Sequence, residues 1–168
     1  MNQLQKITFS LVILTSLSSC QMFEEHKPAD VRDATIDAEI NPQNKQDSVI
    51  ETMPLLSGSV LELYNQAKEL YGNNQFEEAI EMLQRANEIQ QAPQVSQLLA
   101  EIYLHKKDYK QAHVWAEKST EQGPSKGSHC EKSYRILAAA AKRLGYIRNY
   151  QDAVKKQEDC LVIAPETF

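Results

Sequence analysis

The chain has 168 residues, enough for one domain, and carries a net charge of −5 with only 5 Gly and 6 Pro. The acidic balance speaks against a general nucleic-acid binder, and a composition rich in Ala, Gln, Glu, Lys and Leu favours helix over sheet. In chain order, Lys6 is followed by an apolar run from Ile7 to Leu17. That run is too short to span a bilayer as a mature helix. It ends in Leu17-Ser18-Ser19-Cys20, small residues just before a cysteine.

This beginning resembles a bacterial lipoprotein signal peptide with its lipobox. The resemblance implies that residues 1–19 are removed and that Cys20 is lipidated, palmitate among its acyl chains. Several acyl chains, at roughly 0.8 kcal/mol per buried CH2, hold a domain stably on a membrane. Gln21 in place of Asp implies, by resemblance to Gram-negative lipoproteins, an outer-membrane location facing the periplasm. The other reading is a secreted protein whose apolar run happens to end near a cysteine.

Residues 20–57 read as the lipidated Cys and a flexible acidic tether. Pro28, Pro42 and Pro54 interrupt a polar stretch in which eight acids oppose Lys27, Arg32 and Lys45. Low hydrophobicity with charge of one sign resists collapse. The other reading is a short capping helix within Ile50–Leu56.

Six helices follow, expected at about 60–72, 75–90, 93–106, 109–122, 129–145 and 150–163. Their starts are read from capping boxes at Ser59/Glu62, Asn74/Glu77, Asp108/Gln111 and Ser128/Glu131, and from a cap at Asn149. Gly123-Pro124 stops the fourth, and Ala164-Pro165 the sixth. The stretch Phe76-Glu-Glu-Ala79 returns as Tyr109-Lys-Gln-Ala112 and as Tyr150-Gln-Asp-Ala153. The alanines are 33 and then 41 residues apart (112 − 79 and 153 − 112). Small residues let antiparallel helices approach, and large ones such as Leu83 and Leu99 fill the gaps. A recurring aromatic three residues before an alanine, at this period, is a repeat signature.

The pattern resembles the tetratricopeptide repeat (TPR). It implies an all-α fold: a short right-handed α-solenoid of three TPR-like helix pairs over 58–165, preceded by a disordered tether. The repeats fall at about 60–92, 93–125 and 129–165. The usual Trp near each start is Leu63, Ser96 and Leu137, and the usual small residue before each second helix is Asn74, Lys107 and Arg148. The extra residues of the third repeat are expected at Gly123–Lys132, as a longer loop or a first helix extended at its start.

Cys130 falls in the first turn of the fifth helix and Cys160 near the end of the sixth. Antiparallel packing brings these ends together, so a disulfide and a pair of buried thiols both remain open.

No catalytic constellation appears. His26, His105, His113 and His129 are scattered, with no metal-ligand spacing, phosphate loop or dinucleotide fingerprint. The expectation is a protein that is not an enzyme and carries no cofactor or metal. The resemblance implies instead a concave groove lined by the first helix of each pair. Its residues would be Leu61, Tyr64, Asn65, Lys68 and Tyr71, then Gln94, Gln97, Leu98, Glu101 and His105, then Arg135, Lys142 and Tyr146. Relatives that clamp a terminal carboxylate use Lys, Asn and Arg. Here those positions carry Tyr64, Lys68, Leu98, Arg135 and Ala139, and only Arg135 agrees, so that clamp is not expected.

Residues 126–156 hold eight Lys or Arg against Glu131 and Asp152. This basic end could steer an acidic partner, an anionic cell-wall polymer or the acidic tether itself. Val154, Leu161 and Ile163 near the last helix leave either an apolar edge for self-association as a homodimer or an edge turned inward. The resulting expectation is a lipid-anchored periplasmic scaffold that binds envelope proteins in its groove, whether a protease, a peptidoglycan enzyme or a pilus or secretin component. The alternative is direct binding of peptidoglycan or another anionic polymer by the basic third repeat.

Overall fold

A computed structural model of the chain describes residues 31–42 and 53–161. The apolar run, Cys20 and Ile163 lie outside these residues. Among the described residues the regular structure is helical throughout: α1 (Ala34–Ile40), α2 (Gly58–Gly72), α3 (Phe76–Ile89), α4 (Pro93–His105), α5 (Tyr109–Gln122), α6 (Ser128–Leu144) and α7 (Ile147–Asp159). Helices α2 and α3, α4 and α5, and α6 and α7 form hairpins, and each hairpin packs on the next. The architecture is a short α-solenoid of three helix pairs. No described helix is long and apolar enough to cross a membrane.

The hairpin turns share one device. Asn74, Lys107 and Gly145 hold left-handed backbone, with φ of 60°, 61° and 73°. In each case the second helix starts two residues later, at Phe76, Tyr109 and Ile147. This turn, more than side-chain capping, sets where the helices begin. Only Asp108 caps as expected, accepting from the Gln111 amide at 3.1 Å. The N-cap positions fall elsewhere than at Ser59, Asn74, Ser128 and Asn149. The N-caps are Ser57, Gln75, Gly127 and Tyr146, none with a side-chain cap bond. Asn74 is used differently: its Oδ1 accepts from the Arg32 amide at 3.1 Å.

The long third repeat also departs from expectation. Relative to the second, it has eight extra residues (41 − 33), and most do not lie in the loop. The loop 123–127 exceeds the loop 90–92 by two. The other six lie inside the pair, because α6 has 17 residues against 13 in α4 and α7 starts six residues before Ala153 rather than three. Both helices of the third pair therefore gain about one turn at the hairpin end.

Two clusters make the core. Ala67, Phe76, Ala79, Leu83 and Ala86 pack with Val95 and Leu99 in the first. Ala100, Leu104, Ala112, Ala116, Ile136, Ala139 and Ala153 form the second, and Tyr103 and Trp115 touch both. The predicted small positions are buried, so neighbouring backbones approach closely there. Cys130 and Cys160 are joined by a disulfide with Cα atoms 5.6 Å apart, tying the start of α6 to the end of α7. Val154 is half-buried against the second cluster, and Leu161 is exposed.

The stretch read as a tether supplies α1, which is the main departure from the sequence reading. Asp33 caps it through Thr35 at 2.9 Å. Ile36 and Ile40 are fully buried in the second cluster, beside α4 and α6.

Candidate functional site

The first helices of the three pairs form the concave face, and α1 lies across part of it. Ile36 and Ile40, four residues apart, share one face of α1. They insert among Ala100 and Leu104 of α4 and Ile136, Ala139 and Ala140 of α6. Polar contacts frame these anchors. The Asp33 amide donates to His105 Nδ1 at 2.9 Å. Arg135 Nη1 donates to the Ile40 carbonyl at 3.2 Å, and Arg143 pairs with Glu39 at 2.8 Å. Arg32 bonds Asp37 at 2.7 Å while its guanidinium sits 4.6 Å from the Tyr71 ring centre. That bond to Asp37 raises the Arg32 pKa.

A seven-residue helix does not hold itself together in water. Burying two isoleucines contributes about 5 kcal/mol, and the four hydrogen bonds or ion pairs to the domain about 1 kcal/mol each. Ordering eight to twelve residues costs about 1 kcal/mol apiece. Gain and cost are close, so α1 is held by a small margin.

Beside α1 the groove remains open as a cavity of about 440 Å³. Tyr64, Lys68 and Tyr71 of α2, Gln97, Leu98 and Glu101 of α4, and Lys132 of α6 line it, with Arg32 and Asn41 at its edge. Lys132 pairs with Glu101 at 2.7 Å, and the Tyr71 hydroxyl donates to the same carboxylate at 3.2 Å. Burial and that carboxylate push the Tyr71 phenol far above its ordinary range, and burial does the same more mildly for Tyr64. Both phenols stay protonated donors at physiological pH.

Six of the thirteen groove residues expected from sequence therefore meet at the cavity: Tyr64, Lys68, Tyr71, Gln97, Leu98 and Glu101. His105 and Arg135 belong to the groove but lie under α1, and Arg135 also pairs with Glu131 in the same helix. The other five do not line the cavity. Leu61 and Asn65 are exposed outside it, and Gln94 bonds the Pro54 carbonyl at 2.8 Å. Lys142 is exposed, and Tyr146 stacks edge-on against His113 at the lengthened hairpin end. The sequence reading missed Arg32, Asp33, Asp37 and Glu39. Their signal was present in Asp33-Ala-Thr-Ile36-Asp-Ala-Glu-Ile40, a cap residue followed by apolar residues four apart.

Two clusters invite a chemical reading. Ligand atoms of Asp37, Glu101 and His105 lie within 4.8 Å of one another. Because His105 Nδ1 accepts the Asp33 amide, its proton is on Nε2, which then has no lone pair for a metal. Arg32 and Lys132 already neutralise the two carboxylates. The second cluster is Ser119, whose Oγ donates to the Pro93 carbonyl at 3.2 Å and lies 3.1 Å from His129 Nε2. Ser119 is fully buried, so substrate cannot reach it. Both clusters join helices rather than present chemistry.

Half of the basic residues between 126 and 156 are committed within the chain. Lys126 bonds the Asp159 carbonyl, Lys132 pairs with Glu101, Arg135 with Glu131, and Arg143 with Glu39.

Comparison with known proteins agrees with this architecture. The family described as Tetratricopeptide repeat matches residues 70–129, from the end of α2 into α6. No curated protein matches the chain. Among solved structures, the globular C-terminal domain of P. aeruginosa LpoP is similar, with a TM-score of 0.52 and 25% identity over 60% of this chain and 99% of that one.

Proposed function

We propose that the chain is a membrane-anchored scaffold of the bacterial envelope, and that the concave face of its helix pairs docks another envelope protein. The observation that carries this is the convergence of side chains from three successive first helices on one open cavity of about 440 Å³. Its lining mixes phenols, an amide, Leu98 and charges of both signs, which suits a peptide better than a uniformly charged polymer. The similarity to the tetratricopeptide repeat and to the LpoP domain supports an interaction module rather than an enzyme. Cys20, by its lipobox-like setting, would carry the lipid anchor and hold the domain on the periplasmic side of the outer membrane. The partner class is a protease, a peptidoglycan enzyme or a pilus or secretin component. The polymer-binding alternative loses ground because four of its eight cations are already engaged inside the chain.

The test is site-specific photo-crosslinking in living cells. A crosslinker at Lys68, in the cavity, should capture one discrete protein, and the same probe at Lys155, on the exposed side of α7, should not. Gln97→Ala, which alters the cavity floor, should reduce the Lys68 adduct. Equal capture at both positions, or none at Lys68, would count against the reading. Separately, Cys20→Ser should move the protein from the membrane to the soluble fraction.

A further inference from the structure

Residues 31–42 show what the occupied half of the groove accepts. Two aliphatic side chains four residues apart fill the apolar floor, and acids on the exposed flank meet Arg143 and His105. The segment carries one cation, Arg32, against Asp33, Asp37 and Glu39. Arg32 is turned inward on Asp37 and Tyr71, and Glu39 is the acid that pairs with a charged base of the groove, Arg143. The fit is incomplete. Arg135 is more than nine-tenths buried, and its Nε has no acceptor in the described structure. The segment's own carbonyl at Ile40 reaches only Arg135 Nη1.

We propose that the groove recognises a short acidic helical segment of a partner protein, with two aliphatic anchors four residues apart, and that residues 31–42 are the resident copy such a partner displaces. This rests on the groove being the docking face, and it adds the chemistry of the ligand. The small margin holding α1 permits exchange. The resident segment has the advantage of attachment, since a covalently joined copy counts as roughly millimolar. The partner must therefore bind better than the resident copy.

The probe is a fluorescent peptide with the sequence of residues 31–42, titrated into the full chain. Ile36→Asp with Ile40→Asp in the chain should free the groove, so the labelled peptide should bind this variant at least ten times more tightly than the natural chain. A peptide carrying the same two changes should bind neither. Arg143→Glu in the freed variant should weaken binding severalfold, and a Glu39→Arg peptide should restore it. If the double variant misfolds by circular dichroism, the natural chain serves. Excess peptide should then accelerate amide exchange across its own residues 31–42, and a scrambled peptide should not.

Binding that is equally weak to both chains, or equally strong for the scrambled peptide, overturns the proposal. A natural chain that dimerises, with the dimer lost in the double variant, also overturns it, because the occupant is then a second copy. The crosslinking result is independent. Capture at Lys68 with no peptide binding leaves the scaffold reading intact and removes this one, whereas peptide binding without capture removes both, because the groove then has no partner to supply the segment.

Discussion

At the scale of single residues, the turn positions and His105 make the sharpest commitments. Lys107 holds φ of 61° with a side chain, where the third hairpin uses Gly145. Left-handed backbone costs a non-glycine residue about 1 kcal/mol, partly offset by the entropy glycine loses on folding. Lys107→Gly should thus raise stability by about 0.5 kcal/mol, measured by urea denaturation. Asn74→Gly should gain less or lose, because it removes the acceptor for the Arg32 amide. His105 makes the α1 contact depend on pH. Burial lowers its pKa below the ordinary 6.5, against the pull of Asp37 and Glu101. The groups facing it are Asp33, Asp37 and Arg32 from the α1 segment, Tyr71 from α2 and Glu101 from its own helix. Since the docked state keeps His105 neutral, its contribution is complete above pH 6.5 and is lost as pH falls below that value. Protonation also places a second N–H against the Asp33 amide. Amide protection across residues 36–40, corrected for intrinsic exchange, should therefore fall between pH 7.5 and 5.5. His105→Gln, which keeps an acceptor without titrating, should flatten the dependence.

At the scale of elements, the contact between α5 and α6 is closed by a glycine for steric reasons. Gly123 has an ordinary φ of −85°. A Cβ there would meet His129 Cδ2 at 2.7 Å and the Ser119 carbonyl at 2.9 Å. The ring cannot retreat freely, because Ser119 holds its Nε2. Gly123→Ala should destabilise the domain by about 2 kcal/mol. Gly72→Ala, at the end of α2 with nothing within 4 Å, is the control and should stabilise slightly. The six helices of the hairpins were legible in the sequence because Ala79, Ala86, Ala112, Ala116 and Ala153 mark close approaches that recur with the repeat. Their starts were less legible, since left-handed turns placed them and Lys107 does not advertise such a turn as Gly145 does. The α1 helix was hidden for another reason. Its stripe is one turn long, Ile36 and Ile40, amid prolines and acids, and it becomes a helix only because a groove from distant sequence receives it. The same limit applies to the site. Tyr64, Lys68, Gln97, Leu98 and Glu101 follow from repeat register. Lys142 and Tyr146 do not, because the extra turn in α6 and α7 shifts the end of the third pair.

At the scale of the molecule, the solenoid is unequally protected at its two ends. The concave face is bridged by α1, whereas α7 is the last described helix and buries only Ala153 along its length. The disulfide from Cys130 to Cys160 compensates by fixing the far end of α7 to the start of α6, across a sequence separation of 30. The Gly127 amide donates to the Cys160 carbonyl at 2.9 Å at the same corner. Closing a loop of that length removes unfolded-state entropy worth roughly 3–4 kcal/mol. With α7 so lightly buried, much of its attachment depends on that closure. Reduction, or Cys130→Ala with Cys160→Ala, should lower the thermal midpoint by on the order of 10–20 °C. It should also speed amide exchange in α7 before α2 and α3, whose buried residues lie in the first cluster and not in the one that holds Ala153. A melt unchanged by reductant, with both thiols titrating as free, would contradict this account. A loss spread evenly over all helices would show instead that the three pairs unfold as one unit. The predicted order, α7 first, ties the stability of the last pair to an oxidising compartment, which is where a lipidated Cys20 would place it.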